Sequence, residues 1–382
     1  MTLCVSFRTL RFAPLGFVGD SPFSWGPLAA PPRYRAECTV SLFRRFALAF
    51  ALTATTLHAA PFAIFPTANR ALAEGRPTAF YMYVERDFEG EKTKPWQGGQ
   101  FGYTRNPVRH AGKIYYKQFH GGIDIAPVKR DASGEPLDVV RAIADGTVVH
   151  VNDIPRDSSY GRYIVVEHRW GGSPYYALYA HLASAAVRPG QRITQGQTLG
   201  RLGYTGPGVN KERAHLHFEI NLMLGQDFQQ WFDSLNFTET NKHGIYNGMN
   251  LVGFDPAKFL LAASQVEDFD VPAHIRKNNP PFFKVAIPRP HHPLALLRRY
   301  PWLAAGDFAS APALAITFTQ AGLPLTIEPH ARAVAEPQVV WVRPTGGVPY
   351  NYFSRLLTGS AGIPQLSPVG VNRILLITGN TP

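Results

Sequence analysis

Three short segments hold histidines and carboxylates at spacings that suit a metal ion. In Phe119-His120-Gly121-Gly122-Ile123-Asp124, two glycines let the chain turn between an imidazole and a carboxylate. Tyr179-Ala180-His181-Leu182 ends a predicted strand, and His215-Leu216-His217-Phe218-Glu219 lies on another, where a period of two puts both imidazoles on one face. Such groups are costly to bury without partners. One metal ion explains all three segments together. A catalytic zinc takes three ligands from histidine and carboxylate and leaves its fourth position to a water whose pKa falls toward neutrality. His120, Asp124 and one histidine of the 215/217 pair fill the three places. The remaining histidine and His181 then flank the open position, one accepting the water's proton and the other stabilising the oxyanion of a tetrahedral intermediate.

The elements that must carry these groups read as β structure. Short apolar runs cut by glycine turns span Val139–Ala142, Thr147–Val151, Tyr163–Glu167, Tyr175–Tyr179, Gln197–Leu202 and His215–Ile220. That spacing argues for an antiparallel sheet rather than alternating strand and helix units, and 34 glycines and 33 prolines suit it. Earlier, 66–74 gives a short helical signal and Phe80–Val84 looks like a strand. Later, Phe228, Trp231, Phe232 and Leu235 mark a helix, and Asp255-Pro256 opens a second one through Leu261. Residues 272–301 form a proline-studded connector with six basic residues and no acidic one, beyond which Leu314–Thr319, Gln338–Val342 and Arg373–Thr378 are strand candidates in a small β-rich C-terminal module.

Composition bounds the chemistry. The chain has 382 residues of which 45% are hydrophobic, enough for one large or two modest cores, and this excludes global disorder. Its two cysteines, Cys4 and Cys38, exclude a cysteine-rich zinc site and a disulfide framework, so a metal must rest on histidine and carboxylate. No phosphate-binding glycine loop or nucleic-acid motif is found, and no nucleic-acid partner is expected.

Arg44-Arg45 followed by the apolar stretch Phe46–Leu57 reads as a signal peptide at about 40–60, cleaved near Ala59 or Ala60, so we expect export to the periplasm, cell envelope or extracellular space, with no transmembrane helix in the mature chain. Residues 1–39 precede that signal without clear periodicity. We expect Val40 to be the start, with the upstream segment an artefact of the gene model; the alternative is a genuine long leader or signal anchor. Cleavage removes six basic and two acidic residues, taking the net charge from +11 to +7.

The ordered set of segments resembles the lysostaphin/LytM-type zinc metallopeptidases, which cleave peptide bonds in bacterial peptidoglycan. The likeness runs from about Gly98 to Ile220. It takes in Gln100-Phe-Gly-Tyr-Thr-Arg105-Asn-Pro107, the Val140–Val148 hairpin, Tyr160–His168, Tyr179–Leu182, Val187–Gln191, Gly196–Gly200 and His215–Glu219. By that resemblance the fold is a twisted antiparallel β-sheet groove of the duplicated hybrid motif kind. One zinc ion is held by His120, Asp124 and His217, and His181 and His215 are the catalytic histidines. Residues 98–265 would be the peptidase domain, preceded by an N-terminal segment at 61–97 and followed by the connector at 266–306 and the module at 307–382. The segment Gly203–His215 is longer than the family's usual loop, which bears on specificity.

The expected function is that of an exported zinc endopeptidase acting on peptidoglycan stems or cross-bridges. An exported protease acting on extended protein peptides, or a non-catalytic amidase activator of the same fold, are the alternatives. Glu219 reads as structural, His168 as a packing or hydrogen-bonding residue, and the adjacent His291-His292 as surface residues, since neighbours on an extended chain point to opposite sides. The basic run 276–299 reads as a solvated face, with contact to anionic envelope polymer as the functional alternative.

Overall fold

The computed structural model describes residues 60–83, 85, 87–92, 97–360 and 362–380. The expected signal peptide, but for Ala60, and the segment before it lie outside the described residues. Among the described residues no helix is long and apolar enough to cross a membrane.

The chain is mainly β and its named strand pairs are antiparallel. Strands Arg192–Ile193, Gly146–Asn152, Tyr163–Trp170, Ser173–Ala180, Leu216–Met223 and Leu251–Phe254 follow one another across the principal sheet. Leu216–Met223 is its pivot. One edge pairs with Ser173–Ala180. The other pairs with Ile123–Ile125 over its first half and with Leu251–Phe254 over its second. The pivot strand is buried on both faces, with Leu216, Phe218, Ile220 and Leu222 fully inside the apolar core and His217, Glu219 and Asn221 on the opposite side. A smaller sheet of Leu182–Ala185, Thr198–Leu202 and Val139–Arg141, and the hairpin Gly102–His110/Lys113–His120, complete the site's surroundings.

Two expected helices form, the first from its apolar spacing and the second from its cap. Helix Phe228–Ser234 buries Phe228, Trp231 and Phe232. Pro256–Ala263 starts at Asp255, whose side chain accepts from the Ala257 and Lys258 N–H groups. Other expectations fail for local reasons. Residues 66–74 form turns, not a helix, and Pro77–Phe80 is a single helical turn from which Tyr81 bridges to Ile125. The segment Arg373–Thr378, read as a strand, belongs to the helix Pro368–Thr378. Ser367 caps its start, Pro368 occupies the first turn and Gly379, at φ 74°, ends it.

The proline-studded stretch is also structured. Pro272 sits in the first turn of helix Val271–Asn278, and Phe283–Pro288 is an inner strand of a four-stranded sheet ordered Pro324–His330, Ala313–Phe318, Phe283–Pro288, Gln338–Val342. Its prolines stand at element ends, where a missing N–H costs little. Five of its six basic residues are engaged: Arg276, Arg289, Arg298 and Arg299 donate to backbone carbonyls, and Lys284 pairs with Glu328, while Lys277 is exposed.

His168 illustrates the packing of this core. It has no exposed surface, its Nδ1–H donates to the Asp145 carbonyl at 2.7 Å, and its ring stacks on Trp170 with centroids 4.9 Å apart. Burial pushes its pKa down to about 4. Between that value and the ordinary one of about 6.5, the unfolded chain binds a proton that the folded chain refuses, so stability falls as pH drops through this window, by roughly 3 kcal/mol at most. His168→Phe should therefore lower Tm at pH 7, by losing the hydrogen bond, yet show a smaller further drop than the parent between pH 6.5 and 4.5. Parallel melting curves over that range would contradict the assignment.

Candidate metal centre

The pivot strand brings the three sequence segments to one place. His217 pairs in register with Asp124 on one side and Ala180 on the other, so Asp124 and His181 are brought to it from neighbouring strands. His181 follows its strand in a left-handed conformation, φ 60°, which a residue other than glycine adopts only when its surroundings enforce it. Of the two glycines between His120 and Asp124, Gly122 is required by close approach. A Cβ on Gly122 would stand 2.5 Å from the Phe218 carbonyl oxygen and 3.0 Å from Cε1 of His217.

His120 Nε2 and His217 Nδ1 lie 3.0 Å apart, and Asp124 Oδ1 is 3.1 Å from the first and 2.9 Å from the second. Tetrahedral zinc with ligand bonds of about 2.0–2.1 Å sets its ligand atoms roughly 3.3 Å from one another. Shifts of a few tenths of an ångström would thus seat a small ion. Among the described residues this is the one group of three histidine, cysteine or acidic residues whose ligand atoms converge so, and all three are buried.

Each member is also held from behind, as metal ligands usually are. The His120 Nδ1–H donates to the Gln100 carbonyl at 2.8 Å, leaving Nε2 turned to the cluster. The His217 Nε2–H donates to Glu219 Oε1 at 2.7 Å, leaving Nδ1. Arg105 donates to Asp124 Oδ2 at 2.6 Å, leaving Oδ1. Tyr160 and Asn221 in turn donate to the two oxygens of Glu219. The donor set therefore fits a zinc-like ion in both spacing and tautomer.

His181 and His215 stand beside the cluster with ring centroids 4.8 Å apart. Their Nδ1–H groups donate to the carbonyls of Thr205 and Arg213 at 2.7 and 2.6 Å, so Nε2 of each is the unprotonated nitrogen. His215 Nε2 is 3.4 Å from Asp124 Oδ1.

The electrostatics follow from burial and pairing. Burial holds His120, His181 and His215 below the usual imidazole range. Burial would likewise raise Asp124, but the facing imidazoles of His120 and His215 hold its carboxyl well below the usual carboxylate range. His217 is the exception. Burial opposes its charge, yet hydrogen bonds to Asp124 and Glu219 outweigh it and lift it to about 9, so His217 becomes a ligand only when an entering ion displaces the proton on Nδ1.

All five histidine and aspartate residues singled out by sequence are thus gathered here. Sequence reasoning gave no role to Arg105 and took Glu219 for a structural residue. The period of two along the strand, which places Glu219 on the face of His217, was the available signal for the second. For Arg105 the signal was only its place in the Phe101–Arg105 segment. His291 and His292 lie away from the cluster and are exposed.

Residues 118–229 match the family described as Peptidase family M23. Among curated proteins, the chain is 34% identical over 102 residues to the peptidoglycan DD-endopeptidase ShyA of Vibrio cholerae, covering 26% of this chain and 20% of that protein. It is 35% identical over 99 residues to the murein hydrolase activator NlpD of Escherichia coli, covering 26% and 22%. The chain therefore spans about a fifth of the length of these relatives. Among solved structures, the catalytic domain of lysostaphin from Staphylococcus simulans is 21% identical, with 44% of this chain and 98% of that one covered and a TM-score of 0.26.

Proposed function

Taking the match of residues 118–229 to peptidase family M23 as premise, we propose that the chain is an exported zinc-dependent endopeptidase that hydrolyses peptide bonds in peptidoglycan stems or cross-bridges. The observation that carries this reading is the convergence of His120 Nε2, Asp124 Oδ1 and His217 Nδ1 beside two imidazoles with free Nε2 atoms. These three atoms would hold the ion. Zinc, when bound, lowers the pKa of a water and polarises a peptide carbonyl.

The chain's own residues supply the rest. Arg105 and Glu219 fix the orientation of Asp124 and His217, so the ligand atoms stay turned toward one another. His181 and His215, each locked with its proton on Nδ1, offer Nε2 to take the proton of an attacking water and return it to the leaving amine. Once protonated, either imidazolium can donate to the oxygen that becomes negative as the carbonyl is attacked. The buried setting strengthens these interactions.

The activator named among the relatives supports a second reading, that of a non-catalytic protein controlling another hydrolase. The complete set of His120, Asp124, His181, His215 and His217 favours the enzyme. Zinc content distinguishes the two: about one ion per purified chain is expected, and a chain purified without chelators that binds none would support the activator. Mass spectrometry of digests then defines the substrate. Purified sacculi should release fragments cut within stem or cross-bridge peptides, while denatured protein substrates stay intact. Cleavage confined to the protein substrates would overturn the peptidoglycan assignment.

A further inference from the structure

The polar face of the pivot strand does not end at the metal cluster. Beyond His217 it continues through Glu219 and Asn221 into a cavity of about 460 Å³. Tyr160, Glu219 and Asn221 line it together with Lys117, Arg355 and Arg373. Two of these cations come from the C-terminal part of the chain, outside residues 118–229. Tyr103, also on the wall, ties the two parts together: its hydroxyl accepts from the Arg355 backbone N–H and reaches the Gln320 carbonyl at 3.5 Å.

Arg373 is the anomaly in this cavity. It is only 7% exposed, yet its Nη1 has no hydrogen-bond partner. Among the described residues no carboxylate pairs with it or with Arg355. Burial and the neighbouring Arg355 charge together push its pKa down to about 10. Glu219, the carboxylate in the cavity, is already engaged by His217, Tyr160 and Asn221. Burying a guanidinium with an open N–H costs several kcal/mol, and an anionic ligand offsets that cost when it completes the pairing. The planar fork of arginine matches a carboxylate in particular, and Glu219, which also lines the cavity, disfavours a doubly charged anion such as phosphate.

We propose that Arg373 and Arg355 form a subsite for a carboxylate of the peptide substrate, placed along the pivot strand from the metal cluster. This rests on the endopeptidase reading for the identity of the substrate. The carboxylate has two possible sources, the C-terminus of a stem peptide or a side chain within it.

The test is calorimetric binding of a stem tetrapeptide to the full-length protein, in three forms: free acid, C-terminal amide and side-chain amide. Arg355→Gln, at an exposed position, and Arg373→Met, which keeps the apolar stem, are compared with the parent after a melting-curve check of folding. A charge-assisted pair of about 1.4 kcal/mol corresponds to a tenfold change in Kd. Arg355→Gln should weaken binding of the free acid about tenfold while binding of the responsive amide, already weak, stays the same. Whichever amide binds weakly to the parent identifies the source. Equal binding of all three forms by the parent, or an unchanged Kd for the free acid in Arg355→Gln, overturns the subsite. A parent that digests sacculi but binds all forms equally refutes the subsite alone. One that favours the free acid but leaves sacculi intact refutes the endopeptidase reading alone.

Discussion

Asp124→Ala is expected to eliminate both bound zinc and sacculus hydrolysis. Its Oδ1 stands within 3.1 Å of His120 Nε2 and His217 Nδ1, and it is the anion among the three converging groups. Removing it leaves two imidazoles to hold a dication, with the Arg105 guanidinium, previously neutralised across 2.6 Å, now adding repulsion. The fold should suffer as well. Breaking a buried ion pair costs about 3–5 kcal/mol, but the Arg105 side chain is 25% exposed, so solvent screening brings the expected cost below that range. Metal analysis, a melting curve and turbidity loss of purified sacculi together make the check. Lysis retained at the parent rate in a zinc-free variant would defeat the metallopeptidase assignment, and metal retained at one ion per chain would remove Asp124 from the ligand set.

His215→Ala should separate metal from turnover. Its ring is held by the Arg213 carbonyl through Nδ1 and has no place in the converging triad. Loss of a positioned general acid or base typically lowers kcat by about 10²–10⁴, and that is the expected size here with zinc content close to the parent's. His181→Ala should behave alike, since the two rings lie edge to face beside the cluster with centroids 4.8 Å apart. Zinc loss in His215→Ala as complete as in His120→Ala would mean that the roles of His215 and His217 are exchanged.

Much of this was legible because the pivot strand is regular. Its alternation announced which side chains share a face, and the glycines before Asp124 announced a turn. The strands around it could be read from apolar runs bounded by turn residues. The helix Pro368–Thr378 could not be read that way, because Ile374-Leu-Leu-Ile377 has no alternation and a buried helical stretch looks like a buried strand. Its Ser367-Pro368 start and Gly379 stop were the better guide. The stretch 272–301 misled in the opposite direction. Prolines that end elements have the same composition as prolines in a linker, and only pairing partners distant in sequence, such as Ala313–Phe318, reveal the strand. Arg355 and Arg373 carried no local signal at all, since what distinguishes them is the lack of a partner in three dimensions.

The alternation of the Leu216–Met223 strand also acts as a proofreading device during folding. A slip by a single residue against Ser173–Ala180 would drive His217, Glu219 and Asn221 among the side chains that now surround Phe218, and would present leucine and phenylalanine to His120 and Asp124. No partly correct pairing yields a partly formed donor set. Misthreaded chains are therefore unstable and lack the donor set, because His120 and Asp124 meet His217 only when the neighbouring strands pair with the central one in this register.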